Sequence, residues 1–249
     1  MRYDDKTKQM VLTENTIGTI TDDTYVWRIC SAKYLKQDIE QDLNTLVMPC
    51  YDTQNDTLEN PLRDSMMGLD GQKYQLFIDM MSTYYTQCWS LNDSLDWEHF
   101  GTNGDKIRIK CKANTLFDRL MNISDKFYSL NYYMGVINYS DPQGIKDRYH
   151  TGDFESFLDA NGTKLVESIM TIQERWEIEE EVRLLYIYQP QANNTFPTTH
   201  KIHGNINQFC GHIFDWQDVI EEYEMCPDNQ NDNSELEGWL KAYGAKKKS

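Results

Sequence analysis

Short runs of apolar and aromatic residues recur along the chain at spacings typical of β-strands. Residues 25–30 form an aromatic and β-branched run, and residues 106–111 alternate between charged and apolar side chains. Alternation with a period of two places successive side chains on opposite faces of a sheet. We therefore predict a strand at both sites. Further strands are predicted over residues 86–89, 132–139 and 206–213.

Helical spacing accounts for much of the remaining chain. A stripe of apolar residues, spaced by four, four and three positions, predicts a helix over residues 32–46. The stripe consists of Leu35, Ile39, Leu43 and Leu46. Further helices are predicted over residues 74–85, 115–121 and 154–176, with a helical turn over residues 97–100.

The most hydrophobic segment runs from residue 180 to residue 188. It is almost continuously apolar, which is typical of a strand covered on both faces at the centre of a sheet. Because the chain has no internal repeat or clear inner boundary, we expect one α+β domain over residues 25–226. Its central twisted mixed sheet is flanked by helices. Residues 1–24 form a polar lead-in, and residues 227–249 form a polar linker, a short helix and a basic tail.

The charge balance bears on the class of partner. Lys and Arg number 24 and Asp and Glu number 40, so the formal net charge is −16. Phosphate backbones require clustered Lys and Arg, so we expect no broad nucleic-acid-binding face. A local basic pocket is still compatible with this charge. The negative charge favours solubility, or alternatively the attraction of a basic partner.

The cysteines and the lack of long apolar runs bear on location. None of the six cysteines forms a Cys-x-x-Cys pair, and the N-terminal residues do not resemble a signal peptide. No apolar run approaches the roughly 18 residues of a membrane span. We therefore expect free thiols in a cytoplasmic protein that does not enter a membrane.

Four residues in the last quarter of the chain have the side chains of zinc ligands. They are His200, His203, Cys210 and His212. His and Cys are common zinc ligands, but this spacing matches no common zinc motif. We therefore expect no metal site in this segment.

The loop after the strand at residues 86–89 is a first candidate site. It carries Ser90, Trp97, His99 and Phe100. Loops at strand ends often hold functional side chains, and histidine has the chemistry of a general base. The alternative is that Trp97 and Phe100 fill the core while His99 faces water.

The acidic cluster before the hydrophobic strand is the most site-like segment. If it enters the strand, Glu179, Glu181 and Arg183 share one face. One guanidinium then pairs well with only one carboxylate, and the other is available to stabilise a cation. If the stretch is helical instead, Glu177 and Glu181 share a face and the run is a solvated turn. Both interpretations remain open.

These motifs resemble the bacterial and phage family called domain of unknown function 2971, which is associated with AbiGi-type abortive-infection proteins. The corresponding residues are Trp27-Arg28-Ile29, Asn60-Pro61, Cys88-Trp89-Ser90, Trp97-Glu98-His99-Phe100 and Trp176-x-x-Glu179-x-Glu181-x-Arg183. The resemblance covers about residues 25–226. The chain departs from the family at Asn60-Pro61, which lacks an intervening Asp, and at Phe100, where the family has Tyr. The resemblance implies a role in phage defence or counter-defence.

The order of the candidate residues also resembles that of ADP-ribosyltransferases, and implies an ADP-ribosyltransferase-like fold. In that superfamily a basic residue lies on an early strand, a serine follows a middle strand and Glu-x-Glu opens a late strand. The resemblance implies that Arg28 holds NAD and that Ser90 supports the nicotinamide ribose pocket. Glu181 would be the catalytic carboxylate, and Glu179 would contact the acceptor.

Two classes of function remain open. One is an NAD-consuming ADP-ribosyltransferase-like or glycohydrolase-like protein of phage–host conflict, with Trp97, His99 and Arg183 also at the NAD site. Breaking the glycosidic bond of NAD develops an oxocarbenium-like cation that a carboxylate stabilises. The other is a non-catalytic acidic protein that blocks a host or phage partner or sequesters a nucleotide-like ligand. Convergence of Arg28, Ser90 and Glu181 on one cleft favours the first.

Overall fold

The computed structural model describes residues 2–4, 9–11, 15–49, 58–62, 83–100, 104–121, 128–149, 157, 159, 162–188, 199–201 and 209–248. The strands of these residues are β1 (Arg2–Asp4), β2 (Gln9–Val11), β3 (Thr16–Ile17), β4 (Tyr25–Ser31), β5 (Leu43–Val47), β6 (Tyr84–Ser90), β7 (Lys106–Lys112), β8 (Tyr132–Val136), β9 (Asn138–Ser140), β10 (Thr171–Gln173), β11 (Glu181–Ile187), β12 (Thr199–Lys201), β13 (Phe209–Ile213), β14 (Ile220–Met225) and β15 (Lys246–Lys247). The helices are α1 (Ala32–Glu40), α2 (Ala113–Leu120), α3 (Tyr128–Asn131), α4 (Pro142–Tyr149), α5 (Thr163–Ile169) and α6 (Ser234–Ala242), with 3₁₀-helices at Trp97–Phe100 and Glu174–Glu179.

Eleven of the described strands join in one mixed sheet. Along its main path the strand order is β12-β13-β5-β6-β4-β7-β14-β15. Off this path, β11 pairs with β6 and β8, and β3 pairs with β8 in parallel. The hydrophobic strand β11 therefore has a neighbour on both edges, which confirms the predicted inner strand.

One edge of β6 is shared by two different strands. Thr86 pairs with Val47 of β5, and Ser90 pairs with Trp27 of β4. Each contact is a single residue pair, whereas β4 pairs with β7 along its whole length. Because β4 meets β6 only at Ser90, the last residue of β6, the sheet opens beside the residues of β6 that precede it.

Apolar clusters and helices cover both faces of β11. Val182, Leu184 and Tyr186 pack into one cluster, to which α2 and α6 contribute. Leu185 packs into a second cluster on the other face, with residues of α4 and α5. These observations confirm one α+β domain with a central mixed sheet flanked by helices. No helix within the described ranges is long and apolar enough to cross a membrane.

The predicted helix over residues 32–46 is correct only in its first part. It ends at Glu40, and residues 43–47 form β5 instead. Asp42 has a left-handed φ of 51°, which interrupts the helix. The Asp38 carboxylate then accepts hydrogen bonds from the backbone N–H and hydroxyl of Thr45, at 3.0 and 2.6 Å. The leucines of the stripe are buried, but from two different elements.

Two other helix predictions are wrong in part. Residues 171–173 of the predicted helix over residues 154–176 form β10, which pairs in parallel with β9. Tyr84 and Tyr85, predicted at the end of a helix over residues 74–85, belong to β6, while residues 74–82 lie outside the described part. Aromatic residues favour strands when both faces of the sheet are buried.

The other predicted elements are confirmed with small shifts. The strands at residues 25–30, 86–89 and 106–111 correspond to β4, β6 and β7. The predicted strand at residues 132–139 is divided at Ile137 into β8 and β9. The turn predicted at residues 97–100 is a 3₁₀-helix.

Candidate functional site

A small open pocket lies where β4 diverges from β6, with an interior volume of about 40 Å³. The pocket is lined by Trp27, Arg28, Ile29, Cys88, Trp89, Ser90, Asn92, Leu95, Phe100, Arg108, Glu179 and Glu181. Its walls therefore come from four strands, the loop after β6 and the ends of both 3₁₀-helices.

Glu181 and Arg183 form a buried ion pair on one face of β11. Arg183 Nε donates to Glu181 Oε1 at 2.6 Å, and Nη2 donates to Oε2 at 3.2 Å. The two residues are 3% and 2% exposed. The third guanidinium nitrogen, Nη1, donates to the Ile169 carbonyl at 2.6 Å, and the Glu181 backbone N–H donates to the Tyr139 hydroxyl at 2.6 Å. The Glu181 carboxylate is thus fixed in direction.

Glu179 has a different hydrogen-bond partner, His99. His99 Nε2 lies 2.7 Å from Glu179 Oε1. Burial raises the pKa of Glu179 above its usual value, and the His99 hydrogen bond only partly opposes this effect. The carboxyl group is therefore a better proton acceptor than an ordinary surface glutamate.

The loop histidine lies at the surface, but its aromatic neighbours do not fill the core as the alternative expected. Trp97 is only half-buried and Phe100 is 39% exposed. The His99 ring meets Phe100 and Trp176 edge-on, with centroids 5.1 and 6.4 Å apart. These rings hold the imidazole beside Glu179.

The strand interpretation, which placed both Glu179 and Glu181 on the strand, is wrong for Glu179. Glu179 ends the 3₁₀-helix and Glu181 begins β11. Glu180 joins the two elements in the left-handed region, with φ 42° and ψ 53°. Its carbonyl accepts a hydrogen bond from Leu91 N–H at 2.9 Å. This joint lets both carboxylates reach the same pocket from different elements.

Ser90 ties this joint to β6. Its hydroxyl donates to the Glu179 carbonyl at 2.5 Å and accepts a hydrogen bond from the Asn92 N–H at 2.8 Å. Asn92 Nδ2 also donates to the Ile178 carbonyl at 3.1 Å. Ser90 therefore positions the backbone that carries Glu179.

Two arginines line the pocket, and they differ in their partners. Arg108 bonds to Glu224 at 3.2 Å and to the Leu95 carbonyl, and its guanidinium lies 4.8 Å from the Trp97 ring centroid. Arg28 has no ion pair or hydrogen-bond partner for its side chain within the described ranges. Its guanidinium carbon lies 6.0 Å from the centroid of the Trp89 ring. Arg28 is therefore the pocket cation that is available to an anionic ligand.

Cys88 is exposed at the pocket, directly opposite Arg183 in the strand register. Desolvation by the surrounding protein is the main effect that raises the pKa of Cys88 well above its usual value. The negative charge of the Glu181 carboxylate is the second. The thiol is therefore neutral near pH 7, which does not favour a role as nucleophile.

Comparison with known proteins adds little to this geometry. No protein-family model matches the chain, and no curated protein matches it. One solved structure with some similarity is that of Thermus sp. 2.9 DarT in complex with ADP-ribosylated ssDNA. It is 12% identical, the match covers 92% of this chain and 94% of that chain, and the TM-score is 0.32. With a score this low, the function has to be inferred from the site itself.

Four of the seven candidate residues line the pocket directly: Arg28, Ser90, Glu179 and Glu181. The other three support its lining. Arg183 holds Glu181, His99 holds Glu179, and Trp97 lies against Arg108.

The candidate zinc ligands are not assembled in the part of the chain that the structure describes. His212 Nε2 lies 3.0 Å from the Tyr132 hydroxyl, and its Nδ1 lies 2.8 Å from the Ile213 carbonyl. His203 and the side chain of His200 lie outside the described residues. Among those described, no three His, Cys, Asp or Glu side chains form a metal-binding group. Five cysteines are free thiols, Cys30, Cys88, Cys111, Cys210 and Cys226, and Cys50 lies outside the described part.

Sequence reasoning missed Arg108, Trp89 and Asn92 as pocket residues. Arg108 alternates with apolar residues on β7, a pattern that indicates only a half-buried strand. Its place in the pocket depends on the pairing of β4 with β7, which no local pattern reveals.

Proposed function

We propose that the chain is an NAD-consuming ADP-ribosyltransferase-like or glycohydrolase-like protein, with an ADP-ribosyltransferase-like fold. The observation that carries the proposal is the convergence of Arg28, Ser90, Glu179 and Glu181 on one pocket. They come from three distant segments of the chain, so their meeting is not a consequence of sequence proximity. The setting in phage–host conflict, as defence or counter-defence, rests on the family resemblance.

The buried ion pair suits Glu181 to the electrostatic part of this chemistry. Loss of nicotinamide from NAD leaves positive charge on the ribose ring. Arg183, which does not line the pocket, orients the Glu181 carboxylate through hydrogen bonding, and Glu181 lines the pocket. A carboxylate that is already fixed stabilises a developing cation without reorganising.

Arg28 suits the pyrophosphate of NAD. It lines the pocket and forms no ion pair within the described ranges, although the Asp38 carboxylate acts on it at longer range. Arginine binds phosphate oxygens through paired N–H groups. Ser90 contributes by fixing the Glu179 backbone.

The pairing of both carboxylates favours a second candidate function. Glu181 is neutralised by Arg183, and Glu179 is engaged by His99. Such a pocket could hold a nucleotide-like ligand without reacting with it. The second candidate is therefore a non-catalytic acidic protein that sequesters such a ligand or blocks a partner.

Binding and turnover of NAD distinguish the two candidates. NAD binding is measured by calorimetry, and nicotinamide release and label transfer are followed with labelled NAD, with and without a cell lysate. Arg28→Ala should weaken NAD binding at least tenfold. Arg148→Ala is the control, because Arg148 is exposed on α4 and pairs with Glu167. Binding without release or transfer would support sequestration, and absence of NAD binding would contradict the NAD proposal.

A further inference from the structure

A buried pair of amide side chains lies behind the pocket, where β5 meets β6. Gln87 Nε2 donates to Asn44 Oδ1, and Asn44 Nδ2 donates to Gln87 Oε1 at 3.2 Å. Gln87 Nε2 also donates to the Thr45 carbonyl at 3.2 Å. Neither amide lines the pocket, so neither contacts a ligand that is bound there.

Gln87 also holds the indole of Trp89. Trp89 Nε1 donates to Gln87 Oε1 at 2.9 Å. An indole N–H can only donate, and a backbone carbonyl can only accept. The Trp89 N–H and the Thr45 carbonyl therefore determine which end of the Gln87 amide carries the oxygen. In this one orientation both atoms of the amide are satisfied, which makes the buried network rigid.

Trp89 reaches the pocket but offers a ligand almost no surface. Its side chain lines the pocket and belongs to the apolar cluster on one face of β11, and it is only 2% exposed. A ring that is covered to this extent cannot stack on a base or on a nicotinamide ring. The indole lies beside Arg28, whose guanidinium carbon is 6.0 Å from the ring centroid. Trp89 therefore acts on a ligand through Arg28.

Arg28 is the pocket residue that gains most from such a support. Within the described ranges no ion pair or hydrogen bond holds its side chain, and the Asp38 carboxylate acts on it only at longer range. An arginine that binds an anion gives up rotamer freedom, and a wall that limits this freedom beforehand strengthens binding. An indole beside a guanidinium supplies such a wall and also attracts the cation.

We propose that Gln87, supported by Asn44, is a positioning residue of the pocket, which fixes Trp89 and, through it, the guanidinium of Arg28. This role rests on the proposed binding of NAD. In that complex Arg28 binds the pyrophosphate and not the reacting ribose, so the network stabilises the ground state and the transition state equally. Its loss raises Kd and KM for NAD and leaves kcat unchanged.

The test compares Gln87→Met with the wild type by calorimetry of NAD binding and by the kinetics of nicotinamide release. Methionine keeps the length of the side chain and removes both amide atoms. The loss of the Trp89 hydrogen bond should raise Kd and KM about fivefold, with kcat within about twofold of the wild type. In a Trp89→Phe or Arg28→Ala background, the same substitution should change Kd by less than about twofold.

Asn15→Leu is the matched control, because it removes another buried amide that does not line the pocket. Asn15 Nδ2 donates to the Tyr132 carbonyl at 2.8 Å. Both Asn15→Leu and Gln87→Met should lower the melting temperature, since each leaves a buried polar group without its partner. Only Gln87→Met should raise the Kd of NAD. If Gln87 had a purely structural role, neither variant would change Kd.

The indole N–H of Trp89 provides a measurement that needs no NAD. Its resonance in ¹⁵N-labelled protein is assigned by its loss in Trp89→Phe, and it should move upfield in Gln87→Met as the hydrogen bond is lost. If Gln87→Met does not fold, Trp89→Phe alone, which removes the N–H and keeps a ring, should raise Kd about fivefold.

Three results would overturn the role of Gln87 and leave the proposed function intact. They are an unchanged Trp89 resonance in Gln87→Met, a wild-type Kd in Gln87→Met or in Trp89→Phe, and an undiminished effect of Gln87→Met in the Arg28→Ala background. If the wild type does not bind NAD, the proposed function fails, and the role of Gln87 fails with it.

Discussion

Glu179 and Glu181 lie two residues apart in one pocket, but their surroundings differ. Glu181 is almost fully buried and held by two hydrogen bonds from Arg183. Glu179 is half-buried, pairs with His99 and has a raised pKa. Two carboxylates in different settings are suited to different tasks. Glu181 therefore presents a carboxylate fixed by Arg183, and Glu179 presents a carboxyl group with a raised pKa.

At the residue scale, the stability of Glu179→Gln relative to the wild type should be greater at about pH 7 than at about pH 4. Burial raises the pKa of Glu179, so the folded chain holds this proton more tightly than the unfolded chain does. As pH rises from the unfolded pKa through the raised folded pKa, ionisation of Glu179 costs stability. Glutamine avoids this cost and can still bond to His99.

Urea unfolding of the wild type and Glu179→Gln at the two pH values measures this difference. The stability of the variant relative to the wild type should increase from the lower to the higher pH. A relative stability that falls over the same range would contradict the pKa assignment.

The strand interpretation of the sequence predicted the shared face of Glu181 and Arg183, because alternate residues of a strand point the same way. It could not predict the partner of Glu179. The left-handed backbone of Glu180 breaks the alternation just before the strand. His99 reaches Glu179 from a turn 80 residues away, and no local pattern encodes such a contact.

The joint between the 3₁₀-helix and β11 is the element that brings the two carboxylates together. Two hydrogen bonds anchor it. The Ser90 hydroxyl donates to the Glu179 carbonyl, and the Leu91 N–H donates to the Glu180 carbonyl. Glu180 is a non-glycine residue at positive φ, which costs about 1–2 kcal/mol of backbone strain. The joint persists because neighbouring hydrogen bonds hold it.

At the element scale, Glu180→Gly should be neutral or stabilising by up to about 1 kcal/mol. Glycine adopts positive φ without strain, although it has more freedom to lose on folding. Glu180→Pro should destabilise by about 3 kcal/mol or more, because proline requires negative φ and removes the N–H bonded to the Glu177 carbonyl.

Thermal melting checks both variants against a matched control. The control is Glu177→Gly. Glu177 lies on the 3₁₀-helix just before the joint, is exposed and does not have a positive φ. It should lose about 0.5–1 kcal/mol, the usual cost of glycine within a regular element. If glycine costs as much at Glu180 as at Glu177, the left-handed joint is not present in solution.

At the scale of the whole molecule, the opening of the sheet creates the pocket. The hydrophobic pattern predicted β11 as an inner strand, since a continuous apolar run requires cover on both faces. It did not predict that β4 and β6 share a single residue pair. Strand pairing depends on contacts between distant segments. The sequence alone therefore could not establish that Arg28 and Glu181 line the same pocket.

The whole molecule also carries a net charge of −16, which opposes an anionic ligand such as NAD. Arg28 and Arg108 in the pocket lining provide local positive charge against this background. Of the two, Arg28 is the one without a described carboxylate partner. The NAD proposal therefore rests on these local cations and not on the overall charge.

The most direct test of the NAD proposal is the rate of nicotinamide release by Glu181→Gln. Labelled NAD is incubated with the wild type, Glu181→Gln and the exposed control Glu177→Gln, well below their melting temperatures. Glu181→Gln should lower the rate about 10²–10³-fold and lower stability by about 3 kcal/mol, because Arg183 loses its buried carboxylate. Glu177→Gln should match the wild type in both. A folded Glu181→Gln protein that releases nicotinamide at the wild-type rate would contradict the account.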